Sequence, residues 1–322
     1  MPSNSTANIR INTVRTGVSK NAHQRGPKPK KLHHNPIARF FTNGRSNRSA
    51  GGTIVLLAFI AVFACFSLFP VVYMAGNAFK PLSEQFRFPP KLLPINPTLA
   101  NFYELWDYAS SSLVALSRHI FNTLVLVLAG TAGNIVLSAM AAFPLAKFQF
   151  PGSKFLSSVI VYALMFSTAV TAVPNYIVMS YLGLIDTYLA VLLPACSSTL
   201  GLYLLKNFME QVPDSLIEAG SIDGASEFYL LWRIIMPIVK PAWITVFIFT
   251  FQGLWGNTGA NFIYTESLKP LSYMLGQIAA AGVARTGVAA ATTLIMFFIP
   301  VIVFIITQSN ILETMTTSGM KE

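Results

Sequence analysis

Long apolar runs, broken by short polar segments, set the pattern of this chain. A helix rises about 1.5 Å per residue, so crossing roughly 30 Å of hydrocarbon takes about 20 mainly apolar residues. Six stretches reach or approach that length: 53–73, 121–145, 155–179, 189–208, 242–259 and 288–307. The fifth is the weakest, because Gln252 and several Gly and Asn residues interrupt its outer half. Neither an internal repeat nor a strand-rich region accompanies them. The pattern predicts an all-α, polytopic membrane protein with six transmembrane helices.

The polar segments differ in character. In 77–118, Phe88-Pro89-Pro90 and Pro94 to Pro97 favour extended or turning chain, with a short helix near Phe102 to Tyr108. The segment 209–241 is amphipathic, too polar to span a membrane and too apolar for an ordinary linker. Ser215 and Glu218 have the spacing of a capping box, which predicts a helix starting near Ser215. Asp223-Gly224 ends that helix in a turn, with Asp223 able to cap a second helix running from Ala225 towards Ile235. Pro237 and Pro241 then end or kink the second helix.

Composition agrees with lipid as part of the solvent, since 53% of the 322 residues are hydrophobic and only 11% are charged. The net charge of +10 is confined to residues 1–52, which hold ten Lys or Arg and no acid. That arm reads as a disordered basic cytoplasmic tether attracted to anionic lipid. It lacks the interleaved aromatics of a nucleic-acid binder. Six spans place both termini on one side, and 16 of the 22 Lys and Arg then fall inside, so the positive-inside rule makes that side the cytoplasm. The segment 209–241 is cytoplasmic in the same topology. The two cysteines, Cys65 and Cys196, lie in apolar stretches and form no disulfide framework or zinc spacing.

Within 209–241, Glu218-Ala219, Gly224, Ile234 and Pro237 stand at the spacing of the Glu-Ala-Ala loop signature, and here the chain resembles the permease subunits of binding-protein-dependent ABC importers. Gly220 replaces the second Ala and Met236 replaces Leu. Ile222-Asp223-Gly224-Ala225, Leu182 to Thr187 and Val212-Pro213-Asp214-Ser215 resemble the carbohydrate importers of that family. The resemblance covers nearly everything after Thr53. It implies a MetI-like permease fold in the bacterial cytoplasmic membrane, with 53–322 as the permease domain and 209–241 carrying a cytoplasmic coupling helix. Glu218, Ala219, Gly220, Asp223, Gly224, Ile234 and Pro237 would then meet an ATPase, with Glu218 either capping its own helix or making the contact. The tail from Thr317 to Glu322 resembles permease tails that approach the ATPase pair.

The resemblance also implies partners: a second permease subunit in a heterodimer, two ATP-binding cassette subunits and an extracytoplasmic solute-binding protein. No phosphate-cradling Gly-x-x-x-x-Gly-Lys-Ser/Thr stretch occurs, so ATP and Mg belong to the partner ATPases and this chain binds no cofactor. His119 has no metal-ligand companion in sequence, and no constellation of catalytic side chains marks the chain as an enzyme. Asn134, Asn175, Tyr203, Gln252, Trp255 and Asn257 are candidates for the solute pathway, because polar and amphipathic groups are costly to leave in lipid. Each is equally able to bond or pack against a neighbouring helix. The span centres hold no charge, which favours a neutral polar solute such as a sugar or oligosaccharide. An amino-acid or peptide permease is the alternative cargo class. An ion-coupled secondary transporter requires an intramembrane acid or a pair of broken helices.

Overall fold

A computed structural model describes residues 50–280, 282 and 285–318. The basic arm, apart from its last three residues, and the final four residues of the tail lie outside them. By backbone contacts the chain divides into Met1–Ala61 and Val62–Glu322. Of the first unit, residues 50–61 are described, and they form the opening turns of a helix.

The described residues fold into helices joined by loops, with no strand among them. The helices are α1 (Ala50–Ala78), α2 (Leu82–Gln85), α3 (Ala100–Ser111), α4 (Leu116–Lys147), α5 (Ser153–Leu164), α6 (Thr168–Tyr181) and α7 (Leu189–Cys196). They continue with α8 (Thr199–Glu210), α9 (Asp214–Ile222), α10 (Glu227–Ile238), α11 (Lys240–Trp255), α12 (Leu271–Ala279) and α13 (Thr286–Ser318). Four stretches are long and apolar enough to cross a membrane unaided: Ile54–Ala78, Leu116–Lys147, Leu189–Glu210 and Thr286–Gln308.

The other two predicted spans are not straight helices. The third, predicted over 155–179, is α5 and α6 bent by 113° at a short break. Ser167 starts α6 in an extended conformation, and its hydroxyl accepts from the Ala169 amide. The fifth, predicted over 242–259, is α11, which begins two residues earlier, stops at Trp255 and meets α10 at 84°. Its 16 residues cover about 24 Å, short of a full hydrocarbon thickness. Helix α1 begins at Ala50, three residues before the predicted start.

Helix α4 is the axis of the bundle, packing against α7, α8, α11 and α12. Gly130, Asn134, Ser138 and Ala142 lie on its buried face, while Ala129 is exposed. At one end, here the loop end, Phe143 of α4, Leu205 and Met209 of α8, Leu230 and Ile235 of α10 and Val246 of α11 form one apolar cluster. At the opposite end, the cap end, the last turn of α1 packs through Ala78 against Leu105, Leu275 and Val288. A third cluster joins α4 to α11 through Val127, Leu254 and Trp255. None of the most apolar window of α1 is buried, as expected of a helix whose side chains face lipid or another subunit.

The cap end is tied down by α4. The Arg118 Nε and Asn122 Nδ2 groups donate to the Ser267 carbonyl, and Asn122 Nδ2 also donates to the Lys269 carbonyl. His119 Nδ1 lies 2.9 Å from that same carbonyl, so Nδ1 carries the proton. The polar start of α4 therefore serves to anchor a loop.

Candidate functional site

The loop end carries a helix, turn, helix unit built from α9 and α10. Helix α9 starts at Asp214, one residue before the predicted Ser215, because Pro213 occupies the cap position. There is no side-chain cap hydrogen bond at that end, so the Ser215 and Glu218 capping box is not formed. Glu218 and Ala219 are exposed instead.

The helix ends in a Schellman turn. The Ala225 amide donates to the Gly220 carbonyl at 3.0 Å and the Gly224 amide to the Ser221 carbonyl at 3.1 Å. Gly224 sits at φ +80, in the left-handed region that glycine adopts without a Cβ penalty. Nothing lies within 4 Å of where its side chain would start, so backbone shape and not crowding demands glycine there. Asp223 caps the end of α9 but not the start of α10. That role falls to Ser226, whose hydroxyl accepts from the Tyr229 amide.

Helix α10 runs three residues beyond the predicted end at Ile235. A six-residue π-helical run, Leu230–Ile235, precedes Pro237 and takes up the misfit of its missing amide. The break then falls at Val239, between Pro237 and Pro241. Ile234 is half-buried against the loop-end cluster, whereas Pro237 is exposed on a groove shared with Ala132, Trp232, Lys240 and Trp243.

Close packing holds α9 on α10. A Cβ on Gly220 would lie 2.5 Å from Leu230 Cδ2 and 3.4 Å from Ile234 Cδ1. Ile217 adds an apolar contact to the loop-end cluster. Yet no residue of α9 is buried, and Leu216, Ile222, Phe228 and Tyr229 leave apolar surface open, with Ile222 86% exposed. These side chains form an exposed apolar patch on an otherwise polar loop.

A fixed charge fastens the start of α9. Lys147, the last residue of α4, is only 3% exposed, and its Nζ lies 2.7 Å from Asp214 Oδ1. The same ammonium donates to the Val212 carbonyl. Nothing local in the sequence links Lys147 to a residue 67 positions away.

The proposed pathway residues do not form one cluster. Asn134 is fully buried and joins two helices: its Nδ2 donates to Thr250 Oγ1 at 2.6 Å, and its Oδ1 accepts from Ser138 at 2.9 Å. Gln252 and Trp255 share a groove of about 630 Å³ between α11 and α13, lined also by Gly256, Met296, Phe297 and Phe304. Gln252 is exposed there, while Trp255 is 8% exposed and donates through Nε1 to the Met296 carbonyl at 3.0 Å. Asn257 shapes the turn after α11 by accepting from the Gly259 amide. Asn175 and Tyr203 are half-buried on α6 and α8, away from that groove's lining.

At the cap end, Asp186 joins the α6–α7 connection to the loop after α11. Its carboxylate accepts from the amides of Tyr264 and Thr265, each at 2.9 Å, and from Thr265 Oγ1 at 2.5 Å. These bonds, the Thr265 hydroxyl first and the two amides next, hold its carboxyl below the usual aspartate value. Among the described residues no group of three or more His, Cys, Asp or Glu is placed to hold a metal.

This arrangement is that of a polytopic helical membrane protein with a structured helical loop at one end. Residues 134–315 match the family model described as "Binding-protein-dependent transport system inner membrane component". The chain belongs to that family, whose members are transport permeases. It is 30% identical to protein LplC of Bacillus subtilis over 224 residues, covering 69% of this chain and 74% of LplC. It is 27% identical to the polygalacturonan/rhamnogalacturonan transport system permease protein YtcP of the same organism, covering 70% of this chain and 77% of YtcP. Among solved structures, a chain of a bacterial ABC transporter involved in import of the acidic polysaccharide alginate matches with a TM-score of 0.70 at 20% identity. That match covers 82% of this chain and 99% of the other, and it shows that the permease fold is shared.

Proposed function

We propose that this chain forms one membrane half of an ATP-driven importer for an oligosaccharide delivered by an external binding protein. Residues 209–241 face the cytoplasm in this reading, the two bent helix pairs complete six spans, and both termini lie inside. The observation that carries it is α9: an amphipathic helix, fastened at both ends, none of whose residues is fully buried and most of which are exposed. A partner ATPase seated there meets Glu218, Ala219 and Asp223 on a surface whose shape is set by the Gly224 turn. ATP and Mg stay on that partner, consistent with the lack of a phosphate-cradling loop in this sequence.

Carbohydrate cargo is supported by the names of relatives such as YtcP and by the uncharged span centres. Gln252, on the groove between α11 and α13, is the pathway candidate best placed to meet solute, and a second permease subunit supplies the facing wall. The reading is tested with Glu218→Lys and Gly224→Val. Both variants are expected to insert normally, retain less ATPase on purification of the tagged permease and lower uptake of labelled oligosaccharides. Normal ATPase retention and normal uptake in both variants would remove the assignment.

A further inference from the structure

We propose that Lys147 is a positioning residue that fastens α9 to the end of α4, so that movement of the docking helix is delivered to the central helix of the bundle. The inference rests on the reading of α9 as the ATPase seat, and it adds the joint through which that seat acts.

The geometry is specific. Lys147 ends a 32-residue helix that runs without a break from the cap-end anchor to the loop end. Its side chain is nearly buried, where an ammonium is stable only with acceptors at hand. Two are supplied, and both belong to the chain entering α9: the Val212 carbonyl just before the helix and the Asp214 carboxylate in its first turn. The charges also suit both helix ends, since a cation favours the C-terminus of α4 and an anion the N-terminus of α9.

The other attachments of α9 are apolar, and they reach α4 only through the shared loop-end cluster that includes Phe143. Gly220 rests on α10 through Leu230, and Ile217 meets the loop-end cluster. Lys147 is thus the polar tie between α9 and α4, the helix that contacts α7, α8, α11 and α12. Without it, α9 is expected to pivot on its α10 contact and to follow α4 less closely.

The test is hydrogen exchange of the α9 amides in full-length permease held in lipid nanodiscs, with retention of ATPase by the tagged permease as a second readout. Lys147→Met keeps the aliphatic stem and removes the charge. It is expected to speed exchange over 214–222 by about tenfold or more, because a charge-assisted bond and a buried carbonyl's donor are both lost. The α4, α8 and α11 amides should stay at wild-type rates, and ATPase retention should fall severalfold. Lys147→Arg keeps a cation and should restore most of both.

Asp214 is 73% exposed, so Asp214→Asn leaves the core intact and serves if the Lys147→Met protein does not fold. A smaller acceleration confined to α9 is expected there. Unchanged α9 exchange in either variant overturns the proposal, as does a uniform acceleration across the bundle in Lys147→Met. A localised acceleration in a permease whose wild-type form retains no ATPase supports the fastening and overturns only the reading of α9 as an ATPase seat.

Discussion

Gly220 of α9 stands so close to Leu230 of α10 that a methyl group on Gly220 would lie 2.5 Å from Leu230 Cδ2. Leu230 is almost wholly buried in the loop-end cluster, so its side chain must shift among packed neighbours to make room. The sequence signature places Ala at position 220, so this chain has a closer approach of the two helices than the signature residue permits. Gly220→Ala is expected to destabilise the α9–α10 packing by about 1–3 kcal/mol, the usual cost of overfilling a packed site, despite the better helix propensity of Ala. Leu230→Ala should cost less in the Gly220→Ala background than in wild type, because the clash is then relieved. A double-mutant cycle on thermal unfolding measures it, and purely additive costs would show that the two residues do not conflict.

Asp186 makes a pH-dependent prediction at the cap end. Its φ of 64 is left-handed, a conformation that Asp tolerates better than most residues, and three bonds converge on its carboxylate. The folded-state value is depressed, so its stabilising contribution is full above the ordinary aspartate value near 4. It is lost in acid as pH falls through the lowered value. Exchange of the Tyr264 and Thr265 amides should therefore be faster in Asp186→Asn than in wild type at pH 7. The difference should shrink in acid, as pH falls through the lowered value and the wild-type carboxyl is itself protonated. A gap that persists unchanged in acid would mean that the charge is not what holds the loop.

Asn134 was legible as a costly polar residue in an apolar span, but its partners were not. The structure places it between Thr250 and Ser138, joining α4 to α11. Asn134→Leu leaves the Thr250 and Ser138 hydroxyls to find other partners and changes the shape of a fully buried site. A loss of about 1–3 kcal/mol is expected. Asn134→Leu combined with Thr250→Val should lose less than the sum of the single changes, as read by thermal unfolding in detergent, because both ends of the bond are then apolar.

The same contrast runs through the fold. Six apolar stretches are visible because hydrophobic residues run without interruption, yet a run of hydropathy has no direction. The 113° bend between α5 and α6 is therefore hidden, since Met165 and Phe166 keep the stretch apolar while Ser167 starts a new helix. Gly224 was readable because the requirement for a left-handed turn is local to the residue. Ser215 and Glu218 misled for a related reason: their spacing fits a capping box, but Pro213 had already fixed the start of α9 one residue earlier. The tie between Lys147 and Asp214 depends on α4 and α8 ending side by side, a tertiary fact with no local sequence signal. Charge, spacing and turn chemistry survive translation into structure, while partnerships across helices require the packing itself.

Gln252 and Trp255 occupy one groove, but their surroundings assign them different work. The Trp255 ring stacks on Phe251 with centroids 6.1 Å apart, and its Nε1 donates to the Met296 carbonyl, so it fastens α11 to α13. Trp255→Phe removes that donor and leaves a backbone carbonyl short of a partner in a site 8% exposed. A loss of roughly 1–2 kcal/mol in stability is expected, with uptake falling only as far as the folded protein does. Gln252 is exposed on the groove, so Gln252→Ala should leave stability within about 0.5 kcal/mol of wild type. Its expected effect is on solute: a lower uptake rate with unchanged retention of ATPase. Thermal unfolding, ATPase retention and oligosaccharide uptake measured on both variants separate the two roles. Equal uptake in Gln252→Ala and wild type would take this face of α11 out of the pathway, and it would direct the search to Asn175 and Tyr203 on α6 and α8.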